Sequence, residues 1–302
     1  MNELKIPATF AEKAVELGDG ARDWLASLPG LASHYAREWG LRFEGEPMHG
    51  YAGVVQPARR ADGTQVALKL GWQDEDTRDE PIALSTWAGR GAVLMLEHDP
   101  ATGVLLLELL DASRSLNDEP LGKAIEVAGE LARRLAVPAP AELSREQRTE
   151  AKELVEELPR SWHDLGEPFG RRLVDAAVEV CRDLGPSSGS LLVNEDLHFE
   201  NVLAGAREPW LVIDPNPLAG DLEFGVIPLL WNRSTESTLD ERMAAVVSAM
   251  GLDADRARTW TLVRAVQNWL WMVEDEEEID NTGDPAYATA PVIAEWAASS
   301  TH

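Results

Sequence analysis

The hydrophobic periodicity of this chain changes once, near residue 110, and that change limits the folds open to it. Between residues 41 and 110 the apolar residues come in strand-length runs, at 41–48, 51–57, 65–70, 92–97 and 104–110. Asp62-Gly63 and the stretch 99–103 supply hairpin-type turns between neighbouring runs. One helix is expected among them, at 79–89, with Gly91 just past its end. From residue 121 the repeat becomes helical, at 121–135, 145–158, 169–184, 222–232, 239–250, 254–274 and 291–298. Three short apolar runs interrupt it, at 191–193, 202–204 and 210–213. Upstream, 21–28 and 31–39 read as helices, with Pro29-Gly30 as a break between them. The pattern predicts an α+β fold of two lobes. A small β-rich N-terminal lobe covers 1–110, a larger helical C-terminal lobe covers 111–302, and a hinge lies near 107–112. With 302 residues, each lobe can bury its own core.

The chemistry concentrates in the stretch 191–203, Leu-Leu-Val-Asn-Glu-Asp196-Leu-His198-Phe-Glu-Asn201-Val-Leu. A carboxylate and, five residues on, a carboxamide fall in a loop between apolar runs. A second carboxylate, Asp214, ends the strand-like run 210–213. Phosphoryl transfer needs this set: one carboxylate to orient a hydroxyl and accept its proton, and an amide and a carboxylate to hold Mg²⁺ against phosphates. The spacing is that of a protein-kinase-like catalytic loop followed by a metal-binding Asp. Alone, Asp196 and Asn201 could be ordinary turn residues. Upstream, however, Gln65-Val-Ala-Leu-Lys69-Leu sets a lysine in an apolar strand, where it can reach phosphates. Glu80, at the start of the expected helix, is its natural ion-pair partner. Pro81 confines Glu80 to the first helical turn, and Asp79 is the alternative partner.

These phrases together resemble the aminoglycoside phosphotransferase family, in its streptomycin 6-kinase and hydroxyurea phosphotransferase branch, within the protein-kinase-like fold. The resemblance runs from about Trp24 to Trp271. It is carried by Asp196-Leu-His198-x-x-Asn201-Val-Leu, by Arg207-Glu-Pro-Trp210-Leu-Val-Ile-Asp214-Pro, and by Gly220-Asp221 with Leu229-Leu-Trp231-Asn-Arg233. Trp87-Ala-Gly-Arg-Gly-Ala-Val and Leu105-Leu-Leu-Glu108 also fit. The resemblance implies Asp196 as catalytic base, Asn201 and Asp214 as Mg²⁺ ligands, and Lys69 paired with Glu80 as phosphate clamp. It implies that the backbone of Glu108, Leu109 and Leu110 receives the adenine of ATP, with GTP left open. His198 matches a position that supports the loop. The chain departs from the family where Asn194-Glu195 replaces the usual His-Gly; Glu195 is a second carboxylate that either raises the pKa of the adjacent Asp196 or reaches substrate or metal instead. Its phosphate loop, 49–55, has two glycines, Gly50 and Gly53. Asp214-Pro-Asn in place of Asp-Phe-Gly, and the lack of an Ala-Pro-Glu segment, argue against a regulated protein kinase.

The acceptor pocket is expected in the helical lobe, from Glu195, Trp231, Asn232, Arg233, Gln267, Trp271, Glu274 and Asp275. Trp faces and carboxylates suit a sugar or guanidinium-bearing cation. Trp269 and Trp271 can instead be read as core and 274–278 as a solvated helix end, with 274–284 a mobile flap. Charge sharpens the choice. The chain has 27 Lys and Arg against 53 Asp and Glu, and residues 111–302 hold 36 of the acids and 17 of the bases. Nucleic acid and anionic membranes are excluded as electrostatic partners, and no apolar run is long enough to span a bilayer. No signal-peptide core is visible, and the one cysteine, Cys181, fits a reducing cytoplasm. The expectation is an O-phosphotransferase for a small cationic, streptomycin-like molecule. A metabolic small-molecule kinase of the same fold and a nucleotide-binding pseudokinase are the alternatives.

Overall fold

Two compact units make up the chain, and the computed structural model describes residues 4–74, 77–278 and 285–299. The first unit comprises Met1–Asp111 and Gly205–Pro209. It runs α1 (Ala8–Ala14), α2 (Ala21–Glu38), β1 (Leu41–Phe43), β2 (Met48–His49), β3 (Gly53–Arg60), β4 (Gln65–Gly71), α3 (Glu80–Trp87), β5 (Met95–Asp99) and β6 (Val104–Glu108). The strands form one antiparallel sheet in the order β1-β3-β4-β6-β5, with β2 paired to the start of β3. Side chains alternate across it. Val66, Leu68 and Leu70 of β4, with Val104 and Leu106 of β6, join the core that Phe10, Leu28, Ala32 and Tyr35 bring from α1 and α2. Ala67 and Lys69 therefore face the opposite side of the sheet.

Pro29 does not break α2, contrary to the sequence expectation. An interior proline costs about 3 kcal/mol. Burial of Leu28, Ala32, Tyr35 and Ala36 on the sheet offsets it, at about 1.5–3 kcal/mol for each large apolar side chain. The expected strand 41–48 is two strands, because Gly45 turns the backbone at φ +67 and Pro47 has no N–H to pair.

The second unit comprises Ala112–Ala204 and Trp210–His302. Its elements are β7 (Asp111–Ser115), α4 (Leu121–Leu135), α5 (Gln147–Asp164), α6 (Arg171–Leu184), β8 (Leu191–Asn194), β9 (Val202–Ala204), β10 (Leu211–Val212), β11 (Pro217–Gly220), α7 (Ile227–Trp231), α8 (Leu239–Met250), α9 (Ala254–Glu278) and α10 (Pro285–Ala298). Two small sheets, β10-β9-β7 and β11-β8, sit among the helices. The antiparallel β8–β11 pair sets Asn194 opposite Pro217, and β9–β10 sets Val202 opposite Val212. The loops that leave these pairs carry the candidate site. Pro228 in its first turn restricts α7 to five residues, so the expected helix 222–232 begins as the 3₁₀ turn Leu222–Val226. Among the described residues, no helix is long and apolar enough to cross a membrane.

Candidate active site

In the first unit, Lys69 projects from β4 between Val55 of β3 and Leu105 of β6. Its Nζ lies 2.7 and 2.6 Å from the two carboxylate oxygens of Glu80, the first residue of α3. Pro81 thus leaves Glu80 well placed, since an orphaned first-turn position tolerates proline. Asp79 precedes it as the N-terminal flanking residue of α3. Both partners are largely buried, with 12% and 7% of their side chains exposed.

Gly50 and Gly53 close a tight turn, with Gly50 N donating to Gly53 O at 3.1 Å. A Cβ on Gly53 would stand 3.1 Å from Leu70 O and 3.2 Å from the Gly71 Cα, which is why the strand starts on glycine. At the expected hinge, Glu108 departs from the sequence reading. Its N–H donates to Leu94 O, and its carboxylate accepts from Leu94 N and from Arg207. Its amide is thereby occupied, and the next backbone groups, those of Leu109 and Leu110, lie outside the strand ladder and are half-buried. Arg207, in the segment Gly205–Pro209, also donates to the carbonyls of Gly89 and Ala92. Gly89, at φ +77, leaves the room: a Cβ there would sit 3.3 Å from the guanidinium carbon.

In the second unit, Asp196, Asn201 and Asp214 lie on two adjoining loops. Asn201 Nδ2 donates to Asp196 O at 3.3 Å and to Asp196 Oδ2 at 3.2 Å, which turns the amide oxygen away from Asp196. Ile213 N donates to Asn201 O at 2.9 Å, so Asp214 follows directly on a residue bonded to Asn201. Asp214 holds φ +46, a left-handed conformation that costs a residue with a Cβ about 1–2 kcal/mol. Such a departure is characteristic of functional positions.

Asn194 explains what replaces the usual residue before the loop. Its Oδ1 accepts from Asp196 N at 3.1 Å and from Asn216 N at 3.0 Å, joining the two loops, while its Nδ2 is buried without a partner. His198 bridges two carboxylates, with Nδ1 2.9 Å from Glu200 and Nε2 3.5 Å from Asp196. Burial opposes its charge, but the hydrogen bonds to Asp196 and Glu200 outweigh that and push the imidazole up to about 10. The same contact holds Glu200 below the usual carboxylate range.

Several expected acceptor contacts are committed elsewhere. Glu195 is only 3% exposed, with Oε1 2.6 Å from Arg145 Nη2 and Oε2 3.0 Å from Arg264 Nη1. The second contact is electrostatic, since Oε2 has no aligned hydrogen bond. Two arginines, the half-buried Arg145 and the buried Arg264, answer this carboxylate. Burial and the Glu195 charge push neighbouring Glu150 up to about 7. Asn232 is likewise a loop support: its Oδ1 accepts from Phe199 N at 2.7 Å and its Nδ2 donates to Glu200 at 3.2 Å. Arg233 donates to the carbonyls of Asn117 and Glu119 and pairs with Glu236 at 2.7 Å. Gln267 accepts from Arg264 at 3.2 Å. Trp231 is half-buried at the end of α7, and Trp269 stacks on Phe169 at 4.1 Å between centroids. Trp271, at 38%, and Glu274 are exposed on α9. Of the expected flap over 274–284, residues 274–278 continue α9; 279–284 and the side chain of Asp275 lie outside the described residues.

Sequence reasoning missed Arg145 and Arg264 as partners of Glu195. Arg264 left a signal, since a cation in the apolar run Thr261-Leu-Val-Arg264-Ala-Val needs a buried counter-charge. Among the described residues no group of three or more His, Cys, Asp or Glu gathers to hold a metal ion by itself. Asn201 and Asp214 carry one amide oxygen and one carboxylate on these loops, donors of the hard-oxygen type that Mg²⁺ accepts beside phosphates and water.

A family model described as aminoglycoside/hydroxyurea antibiotic resistance kinase matches residues 38–276. Hydroxyurea phosphotransferase of Kitasatospora aureofaciens is 43% identical over 279 residues, covering 91% of this chain and 82% of that protein. Streptomycin 6-kinase of Streptomyces griseus is 40% identical over 289 residues, covering 91% and 92%. Among solved structures, a choline/ethanolamine kinase family protein of Mesorhizobium loti is similar with a TM-score of 0.61, 20% identity and 93% of each chain covered. The fold is therefore protein-kinase-like.

Proposed function

The chain belongs to the aminoglycoside/hydroxyurea antibiotic resistance kinase family, and from that membership we propose that it moves the γ-phosphate of ATP, with Mg²⁺, to a hydroxyl of a small cationic acceptor of the streptomycin type. Family membership makes it a phosphotransferase; the nucleotide, the metal and the acceptor are our reading. The observation that carries it is the group Asp196, Asn201 and Asp214 on two loops joined by Asn194. Asp196 would orient the acceptor hydroxyl and take its proton as the new O–P bond forms. Asn201 Oδ1 and the Asp214 carboxylate would hold Mg²⁺, which when bound neutralises charge on the phosphate oxygens. In the first unit, Lys69, steadied by Glu80, would grip the α- and β-phosphates. The turn between Gly50 and Gly53 would cover them, and the backbone of Leu109 and Leu110 would receive adenine. Use of ATP puts the reaction in the cytoplasm.

The acidity of residues 111–302 favours a cationic acceptor, and the 43% identity to a hydroxyurea phosphotransferase favours hydroxyurea as the second reading. The test is ATP consumption with streptomycin, hydroxyurea and a panel of amino alcohols, with Asp196→Ala as the blank. Phosphorylated streptomycin is the expected product. Phosphorylation of hydroxyurea alone selects the second reading. A phosphorylated amino alcohol alone makes the protein a metabolic kinase. Mg²⁺-dependent ATP binding with no transfer to any acceptor overturns the proposal in favour of a pseudokinase.

A further inference from the structure

The loops bearing Asp196 and Asp214 are spanned by a side chain from a third segment, just ahead of α5. Arg145 Nη1 donates to Asn216 Oδ1, Nη2 lies 2.6 Å from Glu195 Oε1, and Nε donates to Glu150 Oε1 at 2.8 Å. Glu195 immediately precedes Asp196, and Asn216 follows Asp214 by two residues. The Arg145 side chain is 16% exposed. Its backbone is fixed as well, since Arg145 O accepts from Ala219 N at 2.9 Å, on the strand that continues the Asp214 loop.

We propose that Arg145 is a positioning residue for phosphoryl transfer, its planar fork setting the spacing between the Asp196 loop and the Asp214 loop. This rests on the roles proposed above for those two aspartates. In this proposal Arg145 acts on the two aspartates through Glu195 and Asn216. The chemistry calls for arginine: several donors in one rigid plane reach three acceptors in fixed directions, whereas a lysine is a single point of charge on a flexible stem. A purely stabilising role explains less, because a buried ion pair gains little over apolar packing of the same volume. Arg264 is an internal control. It meets Glu195 from the other side, at 3.0 Å, and its bonds go to Gln267 rather than to the Asp214 loop. Both arginines neutralise Glu195, and Arg145 alone also bonds Asn216.

The experiment compares full-length Arg145→Met, Arg145→Lys, Asn216→Ala and Arg264→Met with the parent. Asn216→Ala is the variant that severs the bridge while leaving Glu195 its two cations. Steady-state kinetics are measured with ATP and streptomycin, and amide hydrogen exchange is followed at 194–201 and 213–216. Arg145→Met and Asn216→Ala are expected to lower kcat by up to about 10²-fold, the scale of a 1 Å misplacement, with KM nearly unchanged. Arg145→Lys falls between. Arg145→Met speeds exchange in both loops, whereas Arg264→Met speeds it at 194–201 only and costs far less turnover. Equal loss of kcat in Arg264→Met and Arg145→Met, or full turnover in Asn216→Ala, overturns the proposal. If the parent transfers no phosphate to any acceptor, the functional reading fails, and exchange confined to one loop in Arg145→Met then rejects the bridge on its own.

Discussion

Asn201 Nδ2 donates to Asp196 Oδ2 at 3.2 Å, so the amide that steadies this carboxylate presents its own oxygen elsewhere. One side chain thereby serves two neighbours. If Asp196 receives the acceptor proton, Asp196→Ala lowers kcat by about 10²–10⁴-fold while ATP still binds. Kinetics with streptomycin and an ATP titration check the two halves separately. Undiminished turnover removes Asp196 from the reaction.

Glu80→Gln removes the carboxylate charge that lies 2.6 Å from the largely buried Lys69 Nζ. Breaking such a pair costs about 3 kcal/mol or more, and the lysine is no longer held in one rotamer. The expected result is an earlier urea transition of the first unit together with weaker ATP binding. A variant that binds ATP as the parent does shows that the pair serves stability alone.

His198 gives a dependence on pH with a definite sign. Its imidazole titrates near 6.5 when unfolded and is pushed up to about 10 in the fold, by Asp196 and Glu200 acting against burial. A group raised in this way stabilises fully below pH 6.5, and the contribution falls as pH climbs and vanishes above about 10. Denaturation of His198→Gln and parent should show the largest deficit at the acid end of that window. A deficit independent of pH means that the imidazole acts by shape and not by charge.

The acidic surplus of residues 111–302 should act on capture. Raising ionic strength from about 0.01 to 0.15 M shortens the screening length from about 30 to 8 Å. kcat/KM for streptomycin is expected to fall across that range, while the value for neutral hydroxyurea holds. Equal salt dependence for both returns the acidity to a solubility role.

Much of the fold and of the candidate site could be read from local pattern. Lys69 stood out as a cation in an apolar strand, and Asp196, Asn201 and Asp214 as polar residues at the ends of short apolar runs. What escaped depends on partners distant in sequence. β7, Asp-Ala-Ser-Arg-Ser, has almost no apolar residue to alternate, and β11 begins on a proline. Asn232 and Arg233 looked like pocket residues because a free amide and a free cation resemble recognition groups; their acceptors, at 117, 119 and 200, have no signature in the local sequence. Glu195 was read as available because Arg145 lies fifty positions earlier, beyond any periodicity.

The segment Gly205–Pro209 belongs to the first unit although almost a hundred residues of the second precede it. A ribosome that has synthesised the sheet and its helices has not yet made Arg207, which supplies the contacts to Glu108, Gly89 and Ala92. At about 5–20 residues per second, Glu108 waits roughly 5–20 s for that partner. The N-terminal unit therefore cannot mature strictly ahead of the C-terminal one during translation. A fragment cut at residue 111 is the nascent intermediate, with the carboxylate of Glu108 still lacking its guanidinium.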